Sequence, residues 1–111
     1  MTPMRLTHAT ALVLRAMTAG HRYGFDIMEA SGLPSGTVYP VLRRLEEWGH
    51  VTSRWEEEAA ARVEGRPRRR FYALTGSGEA LAGSARERLL EARRLLVDDP
   101  AMDGIRGAGE A

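Results

Sequence analysis

The order of patterns between residues 35 and 75 constrains this fold more than any other feature of the chain. Val38, Val41, Leu42 and Leu45 recur at helical spacing up to Gly49; two short segments that alternate apolar and polar residues, 51–57 and 68–74, follow. A period of 3.6 that gives way to a period of 2 means a helix handing over to strands. Trp55, Phe71 and Tyr72 favour extended backbone, so the two segments are expected to pair as an antiparallel hairpin. A second reading stays open for 56–64, whose Glu and Ala residues rank high in helix propensity and could extend as helix. Residues 62–70 carry five arginines and one glutamate, which concentrates positive charge at the tip and return strand of the hairpin.

Three helical segments surround this unit. Thr7 is a good N-cap for a helix over 8–19, with Leu12, Val13, Ala16 and Met17 on one stripe and Gly20 as the stop. A shorter helix over 23–31 places Tyr23, Ile27 and Met28 together and ends at Gly32. The third helix is expected to start at Ser35 or Thr37, both able to cap it, and to tolerate Pro40 because a proline near the frayed end loses at most one internal bond. Helix, short glycine-containing turn and helix form a helix-turn-helix. Thr75 then caps a last helix over 76–97. Leu81, Ala85, Leu89, Ala92 and Leu96 make its apolar stripe, and at 1.5 Å per residue it is about 33 Å long. So small a domain cannot cover the whole of such a stripe, so part of it is expected to meet a second copy in a homodimer, with these five residues as the candidate interface. The fold class is mainly α with a small β-hairpin: a DNA-binding winged helix-turn-helix over 1–75, a dimerisation helix over 76–97, and a Gly- and charge-rich tail over 98–111 expected to be disordered.

Composition removes several function classes. With 111 residues, 43% apolar and 28% charged, the chain fits one small globular domain. Its net charge of +1 points to no partner by itself. No cysteine is present for a disulfide or a thiolate metal site, and no apolar run is long enough to span a membrane, so a cytoplasmic chain with no membrane partner is expected. His8, His21 and His50 lie in separate elements without an i, i+4 ligand pair. There is no triad to assemble and no glycine-rich phosphate loop after a strand, so no catalytic residue, metal or cofactor is expected, and the chain does not read as an enzyme.

Double-stranded DNA is the partner these patterns favour. A helix fits the major groove, and the start of the third helix offers the small polar groups of Ser35 and Thr37 beside the aromatic Tyr39. Arg43, one turn further on, suits a phosphate, while Arg44 fits either DNA or an acidic neighbour. At the hairpin tip, Arg66 and Arg68 flank a stiff Pro67 and suit the backbone or the minor groove. The bland alternative makes Ser35 and Thr37 helix caps, Tyr39 a surface aromatic and the arginines partners of Glu56, Glu57 and Glu58 on the opposite strand.

The wording of the chain is itself specific. Tyr23-Gly24-Phe25-Asp26-Ile27, Gly32-Leu33, Gly36-Thr37-Val38-Tyr39-Pro40, Arg44-Leu45-Glu46, Trp55-Glu56, Gly65-Arg66-Pro67 and Tyr72 with Leu74-Thr75 together resemble the PadR-like transcriptional regulators, in their short form with a single C-terminal helix. The resemblance runs over about residues 6–97. It implies a homodimeric winged-helix repressor on palindromic operators, often released by a small-molecule effector. Carried to this chain, it puts Ser35, Gly36, Thr37 and Tyr39 and the wing from Gly65 to Arg68 on DNA, with Tyr23 touching phosphate or bracing the third helix. Two positions depart from the pattern: Phe25 replaces the second aromatic of the Tyr-Gly-Tyr motif, and the last helix has no aromatic on which planar drugs could stack. The alternative function is a protein-interaction module built on a winged helix that does not bind DNA.

Overall fold

A computed structural model describes residues 5–98 and has the order α1 (His8–Thr18), α2 (Gly24–Ser31), α3 (Ser35–Glu47), β1 (Val51–Trp55), α4 (Glu58–Val63), β2 (Arg70–Leu74) and α5 (Gly76–Asp98). Thr7 caps α1 as expected, its hydroxyl accepting from the Thr10 N–H at 3.1 Å. Thr10 is itself buried, and the hydroxyl pair Thr7–Thr10 at 2.9 Å satisfies its polar atom. The chain ends α2 at Gly32 and leaves α3 through Trp48, close to the expected stops. The expected tail over 98–111 lies, beyond Asp98, outside the described residues.

The core sits where the stripe of α3 meets α1. Val38, Val41, Leu42 and Leu45 are all buried, packed in one cluster with Val13 and Leu14 of α1, Ile27 of α2, Val51 of β1 and Tyr72 of β2. Each such aliphatic side chain contributes roughly 1.5–3 kcal/mol on burial, so the stripe largely fixes which face of α3 can look outward. Pro40 lies inside α3, where it removes a single bond and the helix continues.

Three expectations change. Neither Ser35 nor Thr37 caps α3: its N-cap is Pro34, with no side-chain cap bond, because the chain turns into helix directly after the extended backbone of that proline. The hairpin is shorter than 51–57 with 68–74. Its register runs from Val51 opposite Leu74 to Trp55 opposite Arg70, and residues 58–63 form α4, the alternative that the Glu and Ala content had left open. Pairing extends one bond further, from the Glu56 N–H to the Arg69 carbonyl at 2.8 Å, before the run Glu58-Ala59-Ala60-Ala61 turns helical. The third change is in α5. Its most extensive helix contact is with α1 of the same chain; Ala85 is fully buried there, and Leu81 and Leu89 pack on the core. Three of the five residues of the stripe expected to face a second chain therefore pack, wholly or in part, within this one. The exposed large apolar residues of α5 are Leu90, Leu95, Leu96 and Val97.

Where α5 starts is set by a tight junction with the α3–β1 turn. Thr75 donates its hydroxyl to the Gly49 carbonyl at 2.7 Å and accepts the Gly78 N–H at 3.2 Å, while its own N–H reaches the His50 carbonyl at 3.0 Å. A Cβ on Gly78 would overlap the His50 carbonyl oxygen, which is backbone and cannot swing away. Gly78→Ala would raise helix propensity on an ordinary helix; here it should destabilise the domain by roughly 1–3 kcal/mol, the range of overpacking. Urea unfolding checks this, and a stabilised variant would contradict the junction.

Candidate nucleic-acid interface

The face of α3 opposite its buried stripe presents Ser35, Gly36, Tyr39, Arg43 and Arg44 to solvent, with Thr37 half-buried beside them. Because no side chain caps this helix, the hydroxyls of Ser35 and Thr37 and the first-turn N–H groups are not spent on each other. Tyr39 is held at an angle by α2: its ring lies so close to Gly24 that a Cβ there would sit 2.5 Å from Tyr39 Oη. Glycine at the start of α2 thus makes room for an aromatic ring on the outer face of α3. Among the described residues neither Arg43 nor Arg44 has an acidic partner.

The wing is organised by one carboxylate. Glu56 is only 6% exposed, and it takes an ion pair from Arg66 Nη1, a bond from Arg66 Nη2 at 2.7 Å, and longer contacts from the Arg69 N–H and Nη2, each at 3.4 Å. Its carbonyl accepts Arg68 Nε at 2.7 Å. Arg66, expected to extend toward DNA, is therefore turned inward on Glu56. Arg68 uses its Nε for the backbone and remains exposed, and Gly65 turns the tip with a left-handed φ of 68°. Charge counting identified the cluster; that one of three consecutive glutamates is buried and collects it is carried by no sequence pattern beyond the Trp55-Glu56 pair.

Two further ties lock the wing to the helices. Arg70 donates from Nη2 and Nε to Ser53 Oγ at 2.7 and 2.9 Å, and Ser53 in turn donates to Glu46 of α3. Tyr23, expected on phosphate or as a brace, packs at a tilt against Phe71 at 4.5 Å between ring centroids, lies under the Arg69 guanidinium at 3.7 Å and accepts Arg69 Nη2 at 3.0 Å. It also forms an antiparallel bridge with Phe71, and the Arg22 carbonyl accepts the Tyr72 N–H at 2.8 Å. In the structure Tyr23 braces the return strand rather than α3. Among the described residues no three metal-ligating side chains come together.

A helix-turn-helix followed by a two-stranded wing, with a basic outer face on the second helix of the pair, defines a winged-helix regulator. The Transcriptional regulator PadR-like family model matches residues 13–83, and the chain belongs to that family, whose members are transcription regulators and not enzymes. The fold is similar to a PadR family transcription regulator from Clostridium difficile (TM-score 0.66, 20% identity, 81% of this chain and 95% of that one). It is also similar to BpsR of Bordetella bronchiseptica, whose DNA binding is regulated by 6-hydroxynicotinic acid (TM-score 0.70, 20% identity, 97% and 79%). A transcriptional regulator from Clostridium thermocellum is a third (TM-score 0.64, 20% identity, 84% and 90%). At these identities the likeness is one of fold. No curated protein matches the sequence significantly.

The arginines around Glu56 hold its carboxyl at about 2, below its ordinary 4.5; the Arg66 hydrogen bond is the largest cause, and burial opposes it. A depressed carboxyl stabilises the fold above its unfolded pKa, and this contribution fades as pH falls toward the folded value. Glu56→Gln should be less stable than wild type at pH 7, and the gap should close between pH 4.5 and about 2. Thermal unfolding across that window checks it; a gap that is constant with pH would contradict the ionised anchor.

Proposed function

We propose that the protein is a homodimeric repressor that works in the cytoplasm, binding a palindromic operator with the outer face of α3 in the major groove and the wing on the flanking backbone. The observation that carries this reading is the division of α3: all four aliphatic residues of its stripe are buried, while Ser35, Gly36, Tyr39 and Arg43 are left on a surface where polar and cationic groups converge. Ser35, Gly36 and Thr37 approach base edges and the nearest phosphate, Tyr39 contacts a base or sugar, and Arg43 and Arg68 neutralise phosphates. Gly65 shapes the tip. Arg66 and Tyr23 act through the wing they brace.

Release by a small-molecule effector is a further part of this proposal: an open groove of about 940 Å³ between the end of α1, β2 and α5 is lined by Leu74, Ala82 and Leu89 together with Arg15, Arg86 and Arg93. A small molecule seated there touches both the DNA-binding half and α5, and so could bias their relative placement. A footprint on the region upstream of the protein's own gene tests the main reading. Thr37→Ala and Tyr39→Ala should lower operator affinity by about 1–3 kcal/mol each with the fold intact, and Arg43→Ala should weaken all sequences alike and reduce the salt slope by about one. Unchanged binding in all three variants would remove α3 from the interface.

For the dimer, the second copy is proposed to cover the exposed end of α5, with Leu96 and Ala92 retained from the expected stripe and Leu90 and Leu95 added. A twofold dimer would present two recognition helices about 34 Å apart, matching an inverted repeat. Leu96→Asp, at a position exposed in the single chain, should sediment as a folded monomer and lose operator affinity; Glu87→Gln should do neither. A folded Leu96→Asp dimer would move the interface elsewhere.

A further inference from the structure

Trp55 is the last residue of β1 and is 55% exposed, so most of its indole is not used by the core. Alternation along β1 puts Val51, Ser53 and Trp55 on one face of the hairpin. Val51 is buried in the core, and Ser53 is bonded to Glu46 of α3, so this is the face turned toward the recognition helix. Trp55 continues the same line outward, at the end of β1 nearest the wing tip. Its cross-strand partner is Arg70. The guanidinium carbons of Arg70 and Arg68 lie 5.7 and 5.9 Å from the indole ring, and both arginines are exposed. Each spends donors on the protein, Arg68 through Nε and Arg70 on Ser53 and Glu46, so their positions are set before any ligand arrives.

An exposed flat apolar ring beside two positioned cations matches a repeating chemistry of alternating apolar sugar and anionic phosphate. We propose that Trp55 packs on a deoxyribose of the operator backbone at the junction between the major groove and the wing, with Arg68 and Arg70 on the flanking phosphates. This inference rests on the DNA-binding reading above and adds a contact that sets the register of the wing on the duplex. Sugar and phosphate contacts position a protein without reading sequence, so Trp55 contributes to affinity on every duplex alike.

The chain has two tryptophans, so Trp48→Phe leaves Trp55 as the sole indole reporter. This variant is titrated with a duplex from the protein's own upstream region; binding is followed independently by the anisotropy of the same duplex carrying a fluorescein label. As anisotropy saturates, the Trp55 emission should change and its quenching by acrylamide should fall several-fold. In the unmodified background, Trp55→Ala should weaken binding about tenfold on that duplex and on an unrelated one, with circular dichroism and melting unchanged. Saturated anisotropy with Trp55 still fully open to acrylamide, or a folded Trp55→Ala that binds as wild type, overturns the proposal while leaving the DNA-binding reading intact. No anisotropy change on any duplex at low salt overturns both. Loss of binding to the upstream duplex alone would make Trp55 a base reader and also contradict the proposal.

Discussion

The wing depends on the Glu56 carboxylate. A hairpin of two five-residue strands is not stable alone, and its tip is loaded with arginines that repel one another. Glu56 reverses that balance by taking Arg66 through both nitrogens, adding Arg69 and holding Arg68 through its carbonyl. The cluster then becomes attractive, and Arg68 leaves it already oriented. Burial alone would make a carboxyl here easier to protonate; the guanidinium groups override that and keep it ionised.

Two routes tie the hairpin to α3, the second of them through an arginine that Glu56 holds. One runs from Arg70 through Ser53 to Glu46, across the face of the hairpin that carries Trp55. The other runs from Arg69 to Tyr23 at the head of α2, and from α2 through Gly24 to the ring of Tyr39. Both end on the outer surface of α3, whose inner surface the aliphatic stripe has already fixed. The geometry of the interface is thus over-determined from within the chain, and DNA would meet a surface that needs little rearrangement, which lowers the ordering cost of binding.

The sequence is most legible where one residue type has one physical use. The stripe of α3, the Thr7 and Thr75 caps and the hairpin signalled by Trp55, Phe71 and Tyr72 follow from periodicity and backbone preference, and the structure has all of them. It is least legible where the partner decides. An apolar stripe on α5 says that Ala85 and Leu89 are covered but not by what, and α1 of the same chain covers them. Ser35 and Thr37 both look like caps, yet Pro34 holds that position and leaves them for other uses. Arg66 and Arg68 are equivalent as charges; only the burial of Glu56 separates an inward brace from an outward cation. The helix α4 follows the same logic, since propensity permits it and the closure of the tip around Glu56 selects it over a longer hairpin.

Glu56 is proposed to serve DNA binding by ordering the wing rather than through its charge. Operator affinity of Glu56→Gln at neutral pH and moderate salt separates the two. Removing a negative charge near DNA should by itself tighten binding, because it reduces repulsion from the phosphates and frees Arg66. Loss of wing order has the opposite sign: the variant stays folded at its assay temperature, gains one net positive charge, and binds the operator more weakly. Equal or tighter binding by Glu56→Gln would contradict it.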